Sequence, residues 1–110
     1  MSKQKLCNIS DFPADGRNSF KIEENDIAVF KIDDKYYGIS RKCTHMRGNL
    51  AKGKLDGKNV ICPLHGARYD LESGELVQQV SAIAGLLKKA KSTQTYKIWA
   101  ENEELWIELP

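Results

Sequence analysis

Ile27-Ala28-Val29-Phe30-Lys31-Ile32-Asp33-Asp34-Lys35-Tyr36-Tyr37-Gly38-Ile39-Ser40 is the run that decides the fold of this chain. Two segments rich in β-branched and aromatic residues flank Asp33-Asp34, a two-residue connection of turn formers, and this pattern predicts an antiparallel hairpin. The same grammar extends outward in both directions. Leu6 to Ile9 is a short first strand. Asn59-Val60-Ile61 follows the Asp56-Gly57 turn, and Ala67 to Leu71 and Glu75 to Val77 bracket Ser73-Gly74. Thr95 to Trp99 and Glu104 to Leu109 alternate around Glu101-Asn102-Glu103. Many short strands with closely spaced turns predict an all-β fold, a small antiparallel sandwich or barrel. Phe12, Phe20, Phe30, Trp99 and Trp106 read as core. One segment departs from the pattern: in Ser81 to Lys91 the spacing of Ile83, Leu86, Leu87 and Ala90 suits a short surface helix.

The whole chain sets bounds. Its 110 residues suit one domain, residues 1–110, and its 41% hydrophobic and 29% charged residues are ordinary for a soluble protein. No apolar run has the length of a membrane span, and Met1 to Lys5 lacks the apolar stretch of a secretory signal, so the expected address is the cytoplasm. Net charge is +2 but unevenly placed. From Arg41 to Arg68 there are seven basic residues (Arg41, Lys42, Arg47, Lys52, Lys54, Lys58, Arg68) against Asp56 alone, a balance of +6. Such asymmetry suits partners with acidic docking faces. The segment has no interleaved aromatics, which argues against nucleic acid.

Three cysteines are too few for a disulfide framework. Cys7 lies outside any motif and reads as a half-buried spectator. The other two share motifs with the chain's two histidines: Cys43-Thr44-His45, then Cys62-Pro63-Leu64-His65, with sixteen residues between His45 and Cys62. Each motif follows a predicted strand, where a loop can turn back and aim both side chains at one centre. Two thiolates and two imidazoles suit either a tetrahedral zinc ion or a [2Fe–2S] cluster of mixed ligation. Ligand type leaves both open. The order, one Cys and one His per loop, favours two adjacent irons spanned by each loop. Zinc modules more often pair cysteines in one knuckle and histidines in another.

From Cys43 to Leu76 the chain reads C-T-H, sixteen residues, then C-P-L-H-G-A-R-Y-D-L-E-S-G-E-L. This segment closely resembles the Rieske-type [2Fe–2S] ferredoxins, soluble components of ring-hydroxylating dioxygenases with relatives among the small subunits of nitrite reductases. The resemblance continues more loosely into Thr95-Tyr96-Lys97-Ile98. It implies a small antiparallel β-sandwich with an inserted two-loop cluster-binding subdomain, residues 41–77. It also implies one [2Fe–2S] cluster per chain, with Cys43 and Cys62 on the inner iron and His45 and His65 on the outer iron. No residue is assigned a catalytic role. The implied function is a soluble one-electron carrier from a flavin reductase to a terminal oxygenase or other acceptor. A permanent small subunit of a larger reductase and a structural zinc module are the alternatives.

Departures from the family pattern bear on the reduction potential. The high-potential respiratory members carry a disulfide over the cluster, and the corresponding positions here are Gly48 and Leu64. They also place a serine hydroxyl near a cluster sulfide where this chain has Ala67. Fewer hydrogen bonds to sulfur stabilise the reduced cluster less. Tyr69 acts in the opposite direction: the resemblance implies that it stands where the family offers a phenol to a ligand sulfur, a place where ferredoxin members often have Phe. The expected potential lies in the low-to-middle part of the roughly −150 to +300 mV span of Rieske centres.

Overall fold

The computed structural model describes residues 2–44, 48–64, 66–80 and 90–110. His45, His65 and residues 81–89 of the expected helix lie outside them. Among the described residues the chain forms β1 (Ser2–Asn8), β2 (Arg17–Ile22), β3 (Asn25–Ile32), β4 (Lys35–Ser40), β5 (Lys54–Asp56), β6 (Asn59–Ile61), β7 (Arg68–Asp70), β8 (Leu76–Gln78), β9 (Thr95–Glu101) and β10 (Glu104–Leu109). Every strand pairing is antiparallel. A six-stranded sheet runs β1-β10-β9-β4-β3-β2, and a four-stranded sheet runs β5-β6-β7-β8. The expected all-β class is what forms.

The opening hairpin is the hinge of the architecture. In β3, Ile27, Ala28, Val29 and Phe30 are all fully buried, so this strand is covered on both faces. Ala28 and Phe30 join Tyr37 and Ile39 in a core shared with Leu50, Val60, Tyr69 and Leu71, between the two sheets. Ile27 and Val29 face the opposite way, into a second core with Tyr96, Ile98, Leu105, Ile107 and Leu109. Each fully buried side chain of this size contributes roughly 1.5–3 kcal/mol. Cys43 and Cys62 belong to the first core, so their positions are fixed by the packing of the two sheets.

Arg17 ties the two layers together from β2. Its Nη1 donates to the carbonyls of Ala51 at 3.2 Å and Gly53 at 2.5 Å, and its guanidinium lies 5.3 Å from the Phe30 ring centroid. The 3₁₀ turn Leu50–Lys52, which follows the first cysteine motif, is thereby held against the large sheet.

The tryptophans differ from their sequence reading. Trp99 and Trp106 face each other across β9 and β10 but are only half-buried. They occupy the outward face of this hairpin, while Leu105, Ile107 and Leu109 point into the core. The Lys3 ammonium lies 4.5 Å from the Trp106 ring and 5.8 Å from that of Trp99, and Lys97 also lies 5.8 Å from Trp99. Alternation locates the strand but not which of its faces a second layer covers. The intervening turn is Asn102-Glu103, both residues with positive φ (52° and 63°), as a two-residue hairpin of matching twist requires.

Candidate metal centre

Both cysteines open loops of the same construction. The Cys43 N–H donates to the carbonyl of Gly48 at 2.7 Å, and the Cys62 N–H donates to the carbonyl of Ala67 at 2.7 Å. Each bond spans five residues and closes a loop with a cysteine at its base. The first loop is fastened again by Leu50 N–H to Arg41 carbonyl at 2.7 Å, and by the Asn49 side chain accepting from Ala51 N–H at 3.0 Å. It is anchored to β3 through Arg41 N–H to the Asp26 carbonyl at 2.9 Å. The Asp26 carboxylate lies 3.3 Å from Lys42 and 3.6 Å from Arg41. Desolvation pushes the Asp26 pKa up, but its hydrogen bond to Lys42 and the charges of Arg41, Lys42 and Lys21 outweigh it and hold the carboxyl below its usual range. That contribution is present above the ordinary aspartate pKa and is lost as pH falls through the lower folded value. The second loop continues the β6–β7 hairpin, with Ile61 opposite Arg68.

Cys43 and Cys62 are each 2% exposed. The loops that carry them press together at Gly48: a Cβ there would stand 2.7 Å from Cys62 Sγ and 3.1 Å from Leu64 Cγ and Cδ1. Only a residue without a side chain allows this approach. Gly48 and Leu64, the positions read as lacking the loop disulfide, do face one another.

Tyr69 supplies the polar side of the site. It sits on β7, fully buried, with its hydroxyl 3.2 Å from Cys43 Sγ and 2.8 Å from Thr44 Oγ1. Burial, followed by the hydrogen bond to Cys43, pushes its pKa well above the ordinary phenol value, while the Thr44 hydrogen bond opposes the shift. The phenol therefore keeps its proton at neutral pH and can donate to a thiolate. Ala67 is fully buried and adds no side-chain donor. Thr44, which the sequence reading passed over, is the centre of this small network; the signal was a hydroxyl placed between a Cys and a His.

The donor set fits a group held through sulfur: two buried thiols on matched loops, a backbone approach that a Cβ would block, and a protonated phenol directed at one sulfur. Among the described residues, no three His, Cys, Asp or Glu gather in a way that could hold a metal ion.

A family model described as the Rieske [2Fe-2S] domain matches residues 2–96. The chain belongs to the Rieske family. This Rieske domain is 24% identical over 101 residues to the ferredoxin component of the naphthalene 1,2-dioxygenase/salicylate 5-hydroxylase systems of Ralstonia sp, covering 92% of this chain and 89% of that one. It is 27% identical over 112 residues to the 3-phenylpropionate/cinnamic acid dioxygenase ferredoxin subunit of Shigella flexneri, covering 100% and 96%. Its fold matches that of the Sphingomonas yanoikuyae B1 ferredoxin with a TM-score of 0.78, at 22% identity, over 99% of this chain and 100% of that one. The cofactor of the Rieske domain is a [2Fe–2S] cluster, one per chain.

The Tyr69 geometry gives a first prediction for the loaded Rieske domain. Tyr69→Phe keeps the buried ring and removes the donor, so the midpoint potential falls, by on the order of 60 mV if the bond favours the reduced state about tenfold. Protein-film voltammetry reads this directly; an unchanged midpoint means that the phenol does not act on the sulfur.

Proposed function

We propose that this chain is a diffusible one-electron carrier, taking electrons from a flavin reductase and delivering them to a terminal oxygenase, with Cys43, His45, Cys62 and His65 holding its cluster. The observation that carries the reading is the pair of buried cysteines on matched, mutually contacting loops of a Rieske domain. The ferredoxin names of its relatives support a carrier that belongs to an oxygenase system without itself catalysing the reaction. Residues 41–77 form the cluster-binding subdomain within a single domain of residues 1–110, and the cytoplasm is the proposed location. No helix among the described residues is long and apolar enough to cross a membrane.

When bound, the cluster supplies a one-electron couple. The protein sets the rest. Burial of Cys43 and Cys62 keeps water from the thiolates, and the Tyr69 phenol stabilises negative charge at Cys43 sulfur. Docking draws on charge, but on less of it than composition implies. Arg41 and Lys42 pair with Asp26, Lys58 pairs with Glu72 at 2.8 Å, and Arg68 pairs with Asp56. Lys52 and Lys54, both exposed and just beyond the first cysteine loop, are the cations proposed to meet an acidic partner.

The test reconstitutes NADH-driven electron flow with the reductase and oxygenase of an aromatic dioxygenase system. Cluster-loaded protein should support substrate oxidation; a loaded protein that neither accepts nor delivers electrons contradicts the carrier reading. Changing Lys52 and Lys54 together to Glu should slow transfer several-fold at low ionic strength and flatten its salt dependence, with cluster content unchanged. Equal rates and equal salt slopes would remove these lysines from docking.

A further inference from the structure

We propose that the Thr44 hydroxyl is a two-position hydrogen-bond switch that regulates how strongly Tyr69 donates to the Cys43 sulfur, trading that bond against one to the backbone carbonyl of Lys91. The inference rests on the reading of Cys43 as a thiolate ligand.

Four contacts meet at this point. Thr44 Oγ1 lies 2.8 Å from the Tyr69 hydroxyl and 2.8 Å from the Lys91 carbonyl oxygen, and it accepts from the Lys91 N–H at 2.9 Å. The Tyr69 hydroxyl lies 3.2 Å from Cys43 Sγ. The Lys91 N–H brings its own proton. The other three contacts must share the protons of two hydroxyls, because a ligand thiolate has none to give. One contact must go without. Leaving the Thr44–Tyr69 contact empty would set two oxygen lone pairs against each other at 2.8 Å. Two arrangements remain. In one, Thr44 donates to Tyr69 and Tyr69 donates to the sulfur. In the other, Tyr69 donates to Thr44, Thr44 donates to the Lys91 carbonyl, and the sulfur loses the phenol.

Neither hydroxyl gives up its proton in moving between them; both only rotate. Negative charge at sulfur strengthens a hydrogen bond donated to it. An arriving electron therefore draws the network into the first arrangement and loosens the Thr44 hold on the Lys91 carbonyl. By linkage, whatever holds that carbonyl alters the stability of the reduced state by the same free energy. The switch thus joins the electron count to the backbone at Lys91. Thr44 touches no cluster atom in this scheme; it is a positioning residue acting through Tyr69.

The signs distinguish this from a structural role. Thr44→Val removes the competing acceptor and leaves the phenol only the sulfur, so the midpoint rises, whereas Tyr69→Phe lowers it. Thr44→Ser keeps the hydroxyl and stays at the wild-type midpoint. With Tyr69→Phe already in place, Thr44→Val produces no further shift. These midpoints are read by redox titration of loaded protein, with Thr44→Ala carrying the same expectation should the valine variant fail to load. A Thr44→Val midpoint at or below wild type overturns the switch, as does an equal shift with and without Tyr69. Wild-type protein without iron and acid-labile sulfide defeats the cluster reading itself, a separate outcome from a loaded protein whose midpoint ignores Thr44.

Discussion

Cys62→Ser yields a protein without cluster, colourless and less stable, and Cys43→Ser does the same. Each cysteine is 2% exposed at the base of a closed loop. A serine hydroxyl there is a far weaker ligand than a thiolate at neutral pH. It also leaves a buried hydroxyl whose lost partner costs roughly 1–3 kcal/mol. Loss of the bound group removes a further stabilising contribution, because binding to the folded chain favours that fold. Cys7→Ser is the internal control. Cys7 sits half-buried on β1, beside the register shift after Lys5, and takes no part in either loop. Iron and labile-sulfide assays should fall to background for the first two variants and stay at wild-type level for the third. Full iron content in Cys62→Ser would remove Cys62 from the ligand set.

Gly74→Ala is the largest expected effect on stability away from the cluster. Gly74 has φ of +78°, and a Cβ there would lie 2.1 Å from the carbonyl oxygen of Thr93. The neighbouring atom is backbone, so it cannot swing aside. The two residues are also bonded, Thr93 N–H donating to the Gly74 carbonyl at 2.9 Å, which fastens the β7–β8 turn to the chain leading into β9. The left-handed conformation costs an alanine roughly 1–2 kcal/mol, and forcing the backbones apart adds about 1–3 kcal/mol. The melting temperature should fall by roughly 10–20 °C. Gly57→Ala provides the comparison: φ is +61° but nothing lies within 4 Å of the added Cβ, so only the conformational cost applies. Equal melting temperatures for the two variants would show that the Thr93 contact is not limiting.

Much of this fold was legible in the sequence because alternation and turn chemistry agree there. The hairpin read as Ile27 to Ile32 and Lys35 to Ser40 forms as β3 and β4, with β3 beginning two residues earlier, at Asn25. Glu104 to Leu109 forms as read. β2 was not legible: it opens with the polar Arg17-Asn18-Ser19 and lies at a sheet edge, where one side has no neighbour to demand apolar residues. β5 is three residues long, too short for a periodic signal. β1 was read only in its last part, because Ser2 to Lys5 is polar and exposed, again at an edge.

The site divides in the same way. Cys43 and Cys62 stand out by residue type and spacing, Tyr69 by the family resemblance, and Gly48 and Leu64 by departure from the family pattern. Thr44 does not, since its role depends on Lys91, far along the chain and brought to it by tertiary packing. The basic segment shows the same dependence on tertiary packing. Counting charges between Arg41 and Arg68 omits Asp26 and Glu72, which come from outside it and pair with Arg41, Lys42 and Lys58.

The most direct measurement of the central claim is the EPR spectrum of the dithionite-reduced protein. Ligation by Cys43, His45, Cys62 and His65 predicts a [2Fe–2S] signal whose average g value lies below that of a cluster held by four cysteines, since two imidazoles replace two thiolates on one iron. An average at the all-cysteine value, or an EPR-silent protein containing zinc, would contradict it.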